Sequence, residues 1–277
     1  NGGIGISWSM SPDSADAYEG AAGTAVSADG GTSWHAPRKD QILYSDVRMQ
    51  NGRYWVGIKP VNAQKADWLK AYSPDFETTW EWNALYYSER LRELDLTVTG
   101  EEYDPADGKI HSFPVRVNWP YMPTIANREN KLFPLAAIMM LGNGSCISIG
   151  GALYLCTYIN GFDAETGKVP SDGRYNVYVF RSDDSARTWT LISQILTTPE
   201  YCTGGAGDEG FCEPMMEQMP DGSVVMLMRT GGGCPSYIAR STDGCRSWSR
   251  PVVFDRVGVF PQIMTLRCGV TLASYGR

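Results

Sequence analysis

Short apolar runs separated by glycine turns recur along the second half of the chain. Residues 215–228, MMEQMPDGSVVMLM, place two apolar runs on either side of Pro220-Asp221-Gly222. Residues 260–275, FPQIMTLRCGVTLASY, repeat the arrangement around Gly269, and a third copy lies within residues 133–158. Runs of this length bounded by turn residues predict antiparallel strand pairs. Helical periodicity is nearly absent, with one short candidate over residues 63–71. The pattern predicts an all-β protein.

A second repetition is superimposed on the first. Four stretches spell nearly the same eight residues: SADGGTSW at 27–34, SPDFETTW at 73–80, SDDSARTW at 182–189 and STDGCRSW at 241–248. A Ser and an Asp two apart bond the free backbone groups of a tight turn, a Gly supplies positive φ, and the closing Trp covers the turn from below. Each stretch is therefore predicted to be the tip of a β-hairpin. Their first residues are 46, 109 and 59 apart, so the middle interval holds room for one extra unit. Four antiparallel strands of about 5–6 residues with their turns fill a period near fifty, which is the blade of a β-propeller.

The eight-residue phrase is the Asp-box, and the chain resembles the sialidase (neuraminidase) superfamily. That resemblance implies a six-bladed β-propeller of four-stranded blades, with residues 1–277 forming a single catalytic domain. It also implies that the box residues Asp29, Asp75, Asp184 and Asp243 are structural, on the face away from the active site. A closed ring of six blades needs more strands than remain after Trp248, so a chain longer than these 277 residues is expected.

The formal net charge of −7 argues against binding phosphate backbones, and no nucleic-acid partner is expected. The longest apolar run, residues 132–141, contains Pro134 and is too short to cross a bilayer, so no membrane span is expected. No leader precedes the chain as given, and a secreted or periplasmic location is the expectation. Seven cysteines without a C-x-x-C spacing fit free buried thiols better than a disulfide framework or a zinc site, with a Cys202–Cys212 pair open for an exported protein. Two histidines leave little material for a Ser-His-Asp machine, and the glycine-rich stretches lack the phosphate-binding spacings. Neither a metal nor a cofactor is expected.

The informative segment is DEGFCEP at 208–214, followed by a strand, the Pro220-Asp221-Gly222 turn, a strand, and Arg229-Thr230. Glu213 and Arg229 stand near the beginning and the end of one hairpin, which returns both to the same edge of the sheet. A structural ion pair across the hairpin is one outcome, and a shared functional site is the other. The resemblance implies the second: a Glu that partners a nucleophilic Tyr, and an Arg belonging to a three-Arg cluster that clamps a sialic-acid carboxylate. A guanidinium fork matches a carboxylate bidentately and stays charged. A Tyr nucleophile avoids the like charge that a carboxylate would meet at a carboxylate-bearing sugar carbon. No Tyr of this chain matches the family's nucleophile.

The resemblance further implies a general acid in the loop of residues 11–20, where Asp16 stands closest to the expected offset and Asp13 second. The family's first Arg, in an R-I-P motif, has no counterpart here, and Arg277 is the third Arg or a neighbour of it. Tyr158 and Asp163 border the same mouth by blade equivalence and are candidate sugar contacts. Trp119 and Tyr121 stack on a sugar or pack in the core. The function these features imply is an exo-acting retaining glycoside hydrolase that releases terminal sialic acid, an exo-α-sialidase acting on sialylated glycans. Two alternatives stand beside it: a related propeller acting as glycosidase or lyase on another acidic or deoxy sugar polysaccharide, and a non-catalytic glycan-binding propeller.

Overall fold

A computed structural model describes residues 4–9, 22–36, 47–59, 97–118, 124–126, 132–134, 145–160, 165, 174–201, 208–231, 233–256 and 258–276. The chain divides into two compact units, Asn1–Asp46 and Val47–Arg277. In the first, β1 (Ile4–Ser9) pairs antiparallel with β2 (Ala22–Ser27), and Val26 exchanges two backbone hydrogen bonds with His35 beyond the first box.

The second unit is built from antiparallel meanders. Strands β3 (Tyr54–Lys59), β4 (Thr97–Asp104) and β5 (Lys109–Asn118) form a three-stranded one. After the short pair β6 (Thr124–Ala126) and β7 (Leu132–Pro134) come β8 (Cys146–Ile149), β9 (Ala152–Asn160), β10 (Tyr175–Ser182) and β11 (Thr188–Ile195), a four-stranded meander. A second four-stranded meander follows: β12 (Asp208–Gln218), β13 (Val224–Gly231), β14 (Ser236–Ser241) and β15 (Val252–Asp255). The hairpin of β16 (Val259–Thr265) and β17 (Thr271–Gly276) comes last. Two of these meanders have the four strands predicted for a blade, and the architecture is all-β with several antiparallel sheets. The helical candidate at 63–71 and the second box at 73–80 lie outside the described residues.

The blades pack face on face. Side chains alternate across a strand with period two, so a strand with neighbours on both faces must be apolar at consecutive positions. Residues 176–180 of β10 are all buried, and alternation sorts them: Tyr178 and Phe180 join one core with Trp55, Phe113, Val115 and Trp189, while Val177 and Val179 join another with Phe211, Met216, Met226 and Tyr237. Strand β9 divides the same way, Leu153 and Leu155 to the first core, Tyr154 and Cys156 to the second. Each fully buried large side chain contributes about 1.5–3 kcal/mol to holding adjacent blades together.

The three described boxes share one hydrogen-bond pattern. Ser27, Ser182 and Ser241 donate their hydroxyls to Asp29, Asp184 and Asp243 at 2.7, 2.8 and 2.9 Å, and accept backbone N–H bonds from Gly31, Ala186 and Cys245. Each Asp then accepts a backbone N–H four residues on, from Ser33, Thr188 and Ser247. One expectation needs correction: the third box has no Gly, and Ser185 (φ 54) and Ala186 (φ 67) adopt the left-handed conformation themselves. The Ser182 bond to the Ala186 N–H and full burial of Ala186 hold this strained turn in place.

The third box is also tied to the preceding meander. Glu102 on β4, only 1% exposed, accepts a bidentate pair of 2.9 Å bonds from Arg187, together with bonds from Arg53 and Asn51. Burial pushes its carboxyl upward, but the Arg187 and Arg53 bonds outweigh that and hold it below the ordinary range. The described cysteines are free thiols, and all but Cys146 and Cys268 are buried. Among the described residues no helix is long and apolar enough to cross a membrane.

Candidate functional site

Strands β12 and β13 run in regular register from Gln218↔Val224 to Met215↔Leu227, then slip between Met215 and Cys212, where Cys212 pairs with Arg229. Residues directly opposite each other point to one face, and that register continued unbroken would set Glu213 opposite Arg229; the slip puts Cys212 in that place instead. The slip is a β-bulge, with Glu213 at φ 46. Bulges locally disrupt the ladder, yet across this one the Glu213 carboxylate still meets the Arg229 guanidinium. Oε1 accepts from Arg229 Nη1 at 2.7 Å. Oε2 accepts from the backbone N–H of Phe260 on β16 at 2.6 Å. The two side chains are 14% and 13% exposed, so the ion pair is largely removed from water.

Arg229 is not fully satisfied. Its Nε is buried and finds no hydrogen-bond acceptor among the described residues. Burial pulls the guanidinium toward neutrality, but the Glu213 charge outweighs it and holds Arg229 more firmly protonated than usual.

Tyrosines from the neighbouring blade complete the cluster. Tyr158, near the end of β9, packs edge-on against Tyr175 at the start of β10, with ring centres 5.1 Å apart. Tyr175 pairs in parallel with Gly210 of β12, which joins the two blades at this end. Gly210 has φ +83, and a Cβ there would stand 2.6 Å from the Tyr175 carbonyl oxygen, so only glycine permits this approach. Burial pushes the Tyr158 phenol well above its ordinary pKa, and the negative charge of Glu213 adds to this against Arg229. Burial raises the Cys212 thiol too, with Glu213 adding to it, and Cys212 contacts Glu209 at 3.9 Å. This is a cluster of one permanent cation, one carboxylate and a phenol held protonated.

The third and fourth boxes lie at the other end of their strands. Ser241 pairs with Val224, five residues along β13 from Arg229, or about 17 Å at ~3.4 Å per residue. This separation agrees with a structural role for Asp243. Of the expected site residues, the structure brings together Glu213, Arg229 and Tyr158. Asp16, Asp163 and Arg277 lie outside the described residues, as do Asp13, Trp119 and Tyr121. Tyr175, Gly210 and Phe260 were not foreseen, because no local pattern marks a residue whose partner lies in another blade.

Two other features sit apart from this cluster. At the β4–β5 turn, Asp104, Asp107 and His111 bring one ligand atom each within 4.8 Å of one another. Asp104 is already bound by Arg53 at 2.9 Å and Asp107 by His111 at 2.8 Å, so the charges are largely met within the protein. A groove between β11 and the fourth box is lined by Trp248, Tyr201, Arg246, Arg250 and Glu200.

No protein-family model matches the sequence, and no curated protein matches it. Solved structures are similar to it. One is a protein of unknown function from Dyadobacter fermentans, 16% identical with a TM-score of 0.53 over 100% of this chain and 72% of that one. Another is a Hadza microbial sialidase, 12% identical with a TM-score of 0.45 over 98% of this chain and 50% of its own. A third is an ulvan lyase bound to a GlcA–Rha3S oligosaccharide, 14% identical with a TM-score of 0.33 over 61% of this chain and 34% of its own. The chain therefore spans half the length of the sialidase and about a third of the lyase. It shares the fold of the Dyadobacter protein, and in this chain that fold is an all-β arrangement of antiparallel sheets.

Proposed function

We propose that the protein is an enzyme acting on an acidic carbohydrate, with Arg229 receiving the carboxylate of the sugar. The observation that carries this reading is the guanidinium itself: Nη1 is held by Glu213, while Nε is buried without an acceptor among the described residues. A buried donor left unmade costs about 1–3 kcal/mol, and a carboxylate approaching the free side of the fork satisfies it with charge-assisted bonds. Glu213, bound at both oxygens, orients Arg229 and is unavailable for a second task without rearrangement.

The phenol favours one chemistry over the other. A nucleophilic Tyr must lose its proton to attack a sialoside, and burial and neighbouring charge oppose that loss at Tyr158. A protonated phenol is suited to give its proton to a departing glycosidic oxygen. We place cleavage of an acidic polysaccharide, whose sugar need only bring a carboxylate to Arg229, ahead of sialoside hydrolysis, which also needs a Tyr nucleophile that Tyr158 does not supply. Release of terminal sialic acid is the second reading, favoured by the boxes and by Glu213 with Arg229 in the sialidase-like frame. Asp16 as acid, and Asp163, Tyr158 and Arg277 as sugar contacts, belong to the proposal, as does closure of six blades into a single catalytic domain in a secreted protein.

The test is turnover of uronate-containing polysaccharides, followed by the ultraviolet absorbance of an unsaturated uronate and by reducing ends, beside release of fluorophore from an aryl sialoside. Arg229→Ala is expected to lower kcat/KM about 10²–10³-fold, the cost of one electrostatic contact at a reacting centre. Tyr158→Phe is expected to lower kcat with little effect on KM. Wild-type turnover that survives Arg229→Ala refutes the carboxylate site. Failure of the wild type on every acidic substrate refutes the enzyme, and calorimetric binding of an acidic glycan without turnover then supports the glycan-binding alternative.

A further inference from the structure

We infer that Phe260 is the stacking platform for the acidic sugar, a specificity-determining residue that sets the ring against the Glu213–Arg229 pair; the inference rests on the reading of that pair as a carboxylate site. Its backbone N–H donates to Glu213 Oε2 at 2.6 Å, and Glu213 Oε1 bonds Arg229 at 2.7 Å, so one carboxylate separates the Phe260 main chain from the guanidinium. From its own nitrogen, the ring centre is within roughly 5 Å, counted along ~1.5 Å bonds. That is about the width of a pyranose ring, so a sugar anchored at Arg229 lies within reach of the phenyl face.

Two further observations separate Phe260 from an ordinary surface apolar residue. It adopts φ 51, in the left-handed region that a bulky side chain rarely enters, and it precedes Pro261, which restricts its backbone further. Glu213, its hydrogen-bond partner, adopts φ 46. Two strained non-glycine residues in direct contact at a site with an orphaned donor are the kind of clustering that functional sites show. Glycine would relieve the strain at position 260, yet the chain keeps a phenylalanine there and leaves it 61% exposed. The β16 bulge between Val259 and Gln262 buries Pro261 and turns Phe260 outward. An exposed phenyl contributes little to the core, but it offers a sugar an apolar surface for its C–H face, while Arg229 offers a charge for its carboxylate.

The experiment compares Phe260→Ala, Phe260→Gly and Phe260→Trp with the wild type, using the acidic substrate that gives turnover and calorimetric titration with glucuronate and with an acyclic acid of equal charge. Phe260→Ala is expected to raise KM about tenfold with kcat within about threefold, and to weaken glucuronate while leaving the acyclic acid unchanged. Phe260→Trp restores KM. Phe260→Gly raises KM as the Ala variant does, while its melting temperature is no lower than that of the wild type. An unchanged KM in Phe260→Ala, with Arg229→Ala inactive, overturns the platform and leaves the carboxylate site standing. Equal weakening of the cyclic and acyclic acids overturns the platform too. A wild type inactive on, and unable to bind, any acidic sugar overturns both.

Discussion

The coupling between Glu213 and Arg229 gives a sharp test of the site. Glu213→Gln removes the negative charge while keeping a carbonyl oxygen of nearly the same size. With the N···O contact at 2.7 Å, the charge centres stand about 4 Å apart. Coulomb attraction at that distance is about 4 kcal/mol for an effective dielectric near 20, appropriate for a pair that retains a little exposure. The amide oxygen keeps one hydrogen bond, worth about 0.5–1.5 kcal/mol net, so the expected loss of stability is about 2.5–3.5 kcal/mol. At about 2–4 °C per kcal/mol for a chain of this size class, the melting temperature should fall by about 5–10 °C. Arg229→Met alone leaves Glu213 with only the Phe260 N–H and should destabilise by a similar amount. The double variant should recover most of one loss, giving a coupling energy near 2 kcal/mol in thermal or denaturant melts. A coupling below about 0.5 kcal/mol would show that the pair is not removed from water, and the orphaned Nε would lose its meaning.

Further predictions concern the box and the blade junction. The Asp243 carboxyl is held down to about 2 by the Ser247 hydroxyl, the Ser247 N–H and the Ser241 hydroxyl. A depressed carboxyl contributes stability above its unfolded pKa, about 3.9, and loses it as pH falls through the folded value. The melting temperatures of the wild type and Asp243→Asn should therefore converge between about pH 5 and pH 2, and a gap that stays constant over that range contradicts the role given to these bonds. Gly210→Ala would force a Cβ to within 2.6 Å of the Tyr175 carbonyl oxygen and 2.9 Å of its nitrogen, at φ +83. Backbone cannot yield as a side chain does, so a loss of about 1–3 kcal/mol in denaturant melts is expected, together with lower activity as Tyr158 and Tyr175 shift. An unaltered denaturation midpoint would show that the parallel Tyr175–Gly210 contact does not hold the blades.

The amino-acid sequence by itself determined the pieces whose forces are local. A box Ser and Asp bond groups no more than four residues away, so the phrase carries its own geometry, and the described copies fold alike even where Ser185 and Ala186 replace glycine. The glycine turns likewise fixed the hairpins of β8–β9, β12–β13 and β16–β17, and the second of these returned Arg229 to the level of Glu213. Only the tertiary structure decided what surrounds that pair. Glu213 is held by an N–H 47 residues away, and Tyr158 and Tyr175 reach the site because Gly210 lets two blades touch. Such contacts depend on which faces stack, and stacking is driven by apolar area without regard to direction, so a chain can specify every blade and still not reveal which side chains meet between them.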